Sequence, residues 1–200
     1  MYQKFIAFLL LVISFPLILV LSILIKYSSK GPFIFKQNRI GKDSKIFTLY
    51  KIRTMVENAE ELRDKYKRLN EADGPVFKIQ NDPRYTKIGK LLSRTGLDEL
   101  PQLVNVLKGE MAFVGPRPLP VYEGLRIPKK YRKRFSVLPG ITSPWVVKGA
   151  HKLSFKQWME LDLNYVKRRS MVYDIAILFL TVKLISSVFV SMLFRSYEKK

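Results

Sequence analysis

The chain contains no cysteine and a single histidine, His151. Without thiols there is neither a disulfide nor a thiolate metal site, and one imidazole excludes a histidine cluster. A metal, where the chemistry needs one, would therefore be a hard cation held by carboxylate oxygens and phosphates, with Mg²⁺ the obvious choice. Acidic residues are also scarce. Sixteen Asp and Glu stand against 36 Lys and Arg, leaving a formal charge of +20 over 200 residues. That balance selects anionic partners: lipid headgroups, phosphates, nucleotides or nucleic acid. The length fits one compact domain with a membrane segment and leaves little room for a second.

Long apolar runs are present at both ends. Residues 5–25 are apolar apart from Ser14, Pro16 and Ser22, long enough to cross a bilayer core. No small-x-small cleavage site follows in Lys26-Tyr27-Ser28-Ser29-Lys30, so a removed signal peptide is disfavoured. Pro16 lacks a backbone donor and predicts a break in the helix, with Ser14 placed to bond a nearby carbonyl. A bent segment either spans or turns back, and both options stay open. The cations Lys26, Lys30, Lys36, Arg39 and Lys42 put the catalytic bulk in the cytoplasm in either case. At the other end, residues 172–194 carry Lys183, Ser187 and Ser191 at i, i+4 and i+8, a polar stripe that favours an interfacial helix over a second span.

Between these runs the patterning is mixed. Residues 33–40 and 45–53 read as strands joined through Gly41-Lys42-Asp43-Ser44, with Lys51 and Arg53 on one face by period-two alternation. Val56, Ala59, Leu62, Tyr66 and Leu69 predict a surface helix. A second helix is expected to start with Asp82 as N-cap and Pro83 at N1, to bury Ile88, Leu91 and Leu92, and to stop at Gly96. A third buries Leu100, Leu103, Val104 and Leu107, ends at Gly109 and holds Asp98 and Glu99 in its first turn. The fold class is therefore α+β, mostly helical: a small globular domain with a short β-hairpin. Residues 1–30 form the membrane helix broken near Pro16, 31–170 the cytoplasmic catalytic domain, and 171–200 an amphipathic, membrane-associated helix.

The acidic pair is the chemical signal. Adjacent carboxylates in a basic protein suit phosphate chemistry, because cations attract the substrate while a carboxylate attacks it or holds a metal. Side chains one residue apart on a helix diverge by about 100°, so the two can take separate roles. Helix capping alone also accounts for acids in a first turn, and Thr95-x-x-Asp98 matches a capping box in outline. Gly115-Pro116-Arg117-Pro118 tips the reading towards chemistry, since flanking prolines present the planar Arg117 fork from a rigid turn.

These motifs occur in a familiar order. Gln37-Asn38-Arg39-Ile40-Gly41, Tyr50-Lys51-Ile52-Arg53-Thr54-Met55, Gly74-Pro75-Val76-Phe77-Lys78, Asn81-Asp82-Pro83-Arg84, Leu97-Asp98-Glu99-Leu100-Pro101-Gln102-Leu103, Asn105-Val106-Leu107-Lys108-Gly109, Val114-Gly115-Pro116-Arg117-Pro118 and Pro139-Gly140-Ile141-Thr142 resemble the bacterial sugar transferases. These are the monotopic polyprenol-phosphate phosphoglycosyl transferases, here in what looks like their minimal form. The resemblance implies transfer of a phosphosugar from a UDP-sugar to a polyprenol phosphate such as undecaprenyl phosphate, with release of UMP, as the first membrane step of glycan assembly.

By the family pattern Asp98 is the nucleophile and forms a covalent phosphosugar intermediate, with Glu99 its catalytic partner and Mg²⁺ held by the pair. Lys51, Arg53, Arg84, Arg94 and Arg117 are the expected phosphate clamps. The family also implies a re-entrant helix broken at a Ser-Pro pair, here Ser14 and Pro16 with Phe15 between them. Gly96 stands where a Ser often precedes the Leu-Asp-Glu, and Leu138 where an Arg often precedes the Pro-Gly. The expected setting is the bacterial inner membrane with the catalytic domain facing the cytoplasm. The expected partners are the two substrates and membrane lipids, and a homodimer is compatible with the sequence. Residues 82–109 also match a helix-turn-helix in outline, which would suit a membrane-tethered nucleic-acid binder. The acidic turn would meet the phosphate backbone, so no nucleic-acid partner is expected.

Overall fold

The computed structural model describes residues 2–197. It is a mostly helical α+β fold in which helix α1 (Tyr2–Ser28) leads into a hairpin of β1 (Ile34–Ile40) and β2 (Ile46–Ile52). The hairpin is fully paired, from Ile34 opposite Ile52 to Ile40 opposite Ile46. A 3₁₀ turn at Lys42–Ser44 closes it, as the Gly-Lys-Asp-Ser sequence predicts. The one-turn helix α2 (Leu62–Lys65), α3 (Lys87–Thr95), α4 (Gln102–Lys108) and β3 (Ala112–Val114) follow. Then come β4 (Leu119–Pro120), short helices α5 (Val121–Gly124) and α6 (Pro144–Val147) flanking β5 (Gly140–Thr142), and finally α7 (Phe155–Arg168) and α8 (Met171–Tyr197). Strand β4 joins the hairpin in the order β2-β1-β4, while β3 and β5 form a separate parallel pair.

Three expected helices differ from their predicted form: the third starts only at Gln102, with Asp98 and Glu99 before it in a separate 3₁₀ turn, Leu97–Glu99. The residues 56–69 stripe yields only α2 and a 3₁₀ turn at Lys67–Leu69, because tertiary bonds claim its backbone: Arg84 Nη1 donates to Ala59 O at 2.9 Å and the Val56 amide to Arg84 O at 3.0 Å. Helix α3 begins at Lys87 rather than after Asp82, with Thr86 accepting from the Gly89 amide as N-cap. Asp82 is instead engaged by Arg84 two residues on. Leu92 is buried as expected, whereas Leu91 is half exposed. Gly96 ends α3 at φ 73°, a backbone region that costs a residue with a Cβ about 1 kcal/mol.

The main core packs α7 against the 3₁₀ segment Lys129–Ser136 and α6, with Trp145 and Trp158 stacked at 4.4 Å between centroids. Sequence reading passed over α7, although its Ser154-x-x-Gln157 capping box is fully formed.

The two apolar helices attach differently. Near the start of α1, Gln3 Oε1 accepts the Phe113 amide at 3.2 Å, and Ala7 is buried among Phe47, Leu103, Val106 and Met111. Near its end, Leu21 and Ile25 pack on Ile52 and Leu92. Pro16 lies inside the helix, and Ser14 Oγ donates to Leu11 O at 3.3 Å. Helix α8 is held along one face: Ile177 is buried, Thr181 Oγ1 lies 2.8 Å from Thr142 Oγ1, and Tyr165 of α7 donates to Asp174 at 2.7 Å. The rest of α8 exposes apolar side chains such as Val172, Phe179 and Val182. The polar stripe is present, with Ser187 and Ser191 bonding carbonyls of their own helix. By length and composition both helices can cross a membrane, with mean hydropathies of 3.1 and 2.2 over their most apolar windows.

Candidate active site

Asp98 and Glu99 occupy a 3₁₀ turn, Leu97–Glu99, wedged between α3 and α4. No side-chain capping bond forms at Gly96, and Thr95 donates its hydroxyl back to Leu91 and Leu92 carbonyls. The Thr95-x-x-Asp98 capping box is therefore not formed. Asp98 is 4% exposed, and its carboxylate faces Lys51 Nζ at 3.8 Å. Burial pushes the Asp98 carboxyl up to about 6, against the pull of the Lys51 ammonium, with Glu99 adding to the rise and Arg117 opposing it. The same burial pulls the Lys51 ammonium down, against Asp98. A carboxylate held this way is ionised at neutral pH yet poorly solvated, which favours nucleophilic attack.

One buried amide fixes the distance between the two partners. Asn105, fully buried on α4, donates to Thr48 O at 2.7 Å and accepts the Tyr50 amide at 3.2 Å, clamping α4 to the strand that carries Lys51. Its second donation, to Glu110 Oε2 at 2.7 Å, completes the set. Glu99 meets Arg117 Nη1 at 3.2 Å. Arg117 projects from the Gly115–Pro118 loop and lies 5.7 Å from the Trp145 ring centroid. Gly115 is required there by close approach, since a Cβ would come within 2.4 Å of Leu138 O.

These groups line an open cavity of about 2030 Å³. Its lining includes the polar groups Asp98, Glu99, Lys51 and Arg117 and the apolar side chains Leu10 and Ile13 of α1 and Leu184, Ile185 and Val188 of α8. Of the five expected clamps, Lys51 and Arg117 come together at the acidic pair. Arg94 sits exposed on the last turn of α3, at the cavity rim.

Arg53 and Arg84 border the cavity and also bond within the fold. Strand β2 ends before Arg53, whose guanidinium turns away to donate to Ser29 O and Lys30 O at the end of α1. Arg84 spends Nε and Nη2 on Asp82 and Nη1 on Ala59 O. Arg39 is the cation that sequence reading counted only as a membrane-flanking charge. Alternation in β1 sets it on the face of Phe35, which is paired with Lys51. It lines the cavity, and burial together with Arg117 pushes its guanidinium down to about 10.

Among the described residues, no cluster of three or more His, Cys, Asp or Glu could hold a metal unaided. Asp98 and Glu99 fit a Mg²⁺ ion only as a two-carboxylate site completed by substrate phosphates and water, which is the usual protein share for that ion.

Known proteins resemble this chain along most of its length. The family described as "Bacterial sugar transferase" matches residues 1–187. The chain is 42% identical over 156 residues to the galactosyl transferase CpsE of Streptococcus agalactiae, covering 78% of this chain and 35% of that protein. It is 38% identical over 185 residues to the UDP-glucose:undecaprenyl-phosphate glucose-1-phosphate transferase of Escherichia coli, covering 88% and 37%. With the exopolysaccharide production protein ExoY of Rhizobium meliloti it shares 36% identity over 176 residues, covering 84% and 76%. The chain thus spans little more than a third of the first two and three quarters of ExoY. A match along nearly the whole chain, and a relative covered over most of its own length, place this protein in the bacterial sugar transferase family.

Proposed function

We propose that the chain transfers a phosphosugar from a UDP-sugar to a polyprenol phosphate, releasing UMP, as an early membrane step of bacterial exopolysaccharide or related glycan assembly. The observation that carries this reading is Asp98: a buried carboxylate at a cavity floor, raised towards neutrality, with one loose cationic partner. The printed names of the E. coli and Rhizobium relatives support it.

In the first step an Asp98 carboxylate oxygen attacks the sugar-bearing phosphorus. The bond to the UMP oxygen breaks and UMP leaves with the electron pair, so the sugar phosphate is held as an aspartyl phosphate, a mixed anhydride. In the second, a phosphate oxygen of the acceptor attacks that phosphorus, and the Asp98 carboxylate is restored. Lys51 and Arg117 screen the negative charge that gathers in both steps. Glu99 orients Arg117. Mg²⁺, held by Asp98, Glu99 and substrate oxygens, would supply charge neutralisation at the diphosphate.

Two features support the membrane part of this reading. The cavity lined by Asp98 is also lined by apolar residues of α1 and α8, a setting suited to a prenyl chain. Both ends of α1 dock on the same domain, which supports a segment that enters and leaves by one face of the bilayer, and the cations that follow it favour a cytoplasmic catalytic domain.

Intact-mass analysis of the purified chain with Mg²⁺ and a panel of UDP-sugars tests the chemistry. One UDP-sugar should add the mass of a phosphosugar and release UMP, and Asp98→Asn should do neither while melting no lower than the parent. Turnover retained in Asp98→Asn would assign the nucleophile elsewhere.

A further inference from the structure

The loop presenting Arg117 has three consecutive carbonyls, and each is held from outside the loop. The Gly140 amide donates to Pro116 O at 3.1 Å, Arg134 Nη2 to Arg117 O at 2.8 Å, and Arg39 Nη1 to Pro118 O at 3.1 Å. Two of the loop's four residues are prolines without an N–H, so these accepted bonds are what fix its backbone.

The middle donor is unusual. The Arg134 side chain is 1% exposed and bonds Asp162 Oδ2 through Nε at 2.9 Å and Nη2 at 2.7 Å. Asp162 is fully buried on α7, and among the described residues its other oxygen, Oδ1, has no partner. Burying such a pair is costly, and apolar residues of similar volume would hold two segments together as well or better. A guanidinium does one thing those residues cannot: it passes a charge-assisted hydrogen bond on to the Arg117 carbonyl.

Helix α7 also braces the other end of Arg117. Trp158, one helical turn before Asp162, stacks on Trp145, whose ring faces the Arg117 guanidinium. Thus α7 supports the carbonyl through Asp162 and Arg134, and the side chain through Trp158 and Trp145.

We propose that Arg134, braced by Asp162, is a positioning residue for the transferase reaction: it touches no reacting atom and holds the Arg117 guanidinium where the phosphates of the sugar nucleotide are met. This rests on the function proposed above, and in particular on Arg117 as a phosphate ligand.

A double-mutant cycle separates positioning from simple fold support. The full-length parent, Arg134→Lys, Arg117→Ala and the double variant are compared for kcat/KM with the UDP-sugar and for UMP affinity by calorimetry. Lys keeps the charge opposite Asp162 but cannot reach carboxylate and carbonyl together. It should lower kcat/KM about tenfold when Arg117 is present, and less than about twofold when Arg117 is Ala.

Equal losses in both backgrounds would overturn the proposal, since a fold defect does not depend on the Arg117 side chain. Asp162→Asn, which keeps the shape and one acceptor oxygen, goes through the same cycle. Should Arg134→Lys not fold, an additive result with Asp162→Asn is decisive against. A parent that turns over no UDP-sugar would fail the proposed function. The UMP arm then still decides the positioning claim: coupling there upholds it, and additivity or absence of UMP binding sinks it.

Discussion

Two kinds of ion pair divide the molecule. Arg84–Asp82 and Arg134–Asp162 close to 2.6 and 2.7 Å, with all four side chains at most 8% exposed. Lys51–Asp98 and Arg117–Glu99 stand at 3.8 and 3.2 Å, and their cations are 25% and 38% exposed. Both sets join a cation to a carboxylate, and availability differs. A buried guanidinium held to its carboxylate by two short bonds gives it up only at a large cost, while a cation in a slack pair can exchange its carboxylate for a substrate oxygen at little cost. Motif matching cannot tell the two apart, because the difference lies in what lies across the fold.

Arg84→Ala tests the tight side and carries the largest expected effect. It strands the buried Asp82 carboxylate and should cost about 3 kcal/mol of stability, read by chemical unfolding in detergent. A loss within measurement error would put Arg84 back among the substrate ligands.

Lys51→Met tests the slack side. Lys51 holds the Asp98 pKa below the level that burial alone would set, so its removal raises that pKa further. Asp98 must be ionised to attack, so the acid limb of the pH–rate profile, expected near 6 in the parent, should move to higher pH. Turnover at pH 6 should fall about tenfold further than at pH 8, where the loss that remains reports the charge screening Lys51 gives the phosphates. A limb that does not move would mean that Lys51 does not tune the carboxylate.

The smallest effect is expected at Arg94, exposed at the rim. Arg94→Ala should raise KM for the UDP-sugar about threefold with kcat unchanged, a difference that salt suppresses. A drop in kcat would place Arg94 at the reacting centre and blur the division.

Local signals were legible in the sequence, and remote ones were not. The hairpin, the Gly96 and Gly109 stops and the chemical weight of Asp98 all follow from neighbours within a few residues. The Asp82-Pro83 helix start failed because Arg84 captured the capping carboxylate. The helix expected over residues 56–69 failed because the same Arg84, 25 residues beyond Ala59, took its carbonyl. Arg53 is an expected clamp whose job was decided by Ser29 and Lys30, 24 and 23 residues away. Arg39 was within reach of the alternation argument that singled out Lys51, but its charge was assigned to topology alone. No sequence rule pointed to Asn105, because its partners lie on a different element.

The docking of α1 at both ends bears on how the protein can be handled. An ordinary tether can be trimmed to give a soluble enzyme, but here a deletion of residues 1–28 would take Ala7 out of one cluster and Leu21 and Ile25 out of another. It would also leave the Phe113 amide without its Gln3 acceptor. Fresh apolar surface would then open beside β2 and α4, the elements that set Lys51 against Asp98. The greasy segment is an internal structural member that happens to be wetted by lipid, and preparations should retain it under a detergent or nanodisc coat.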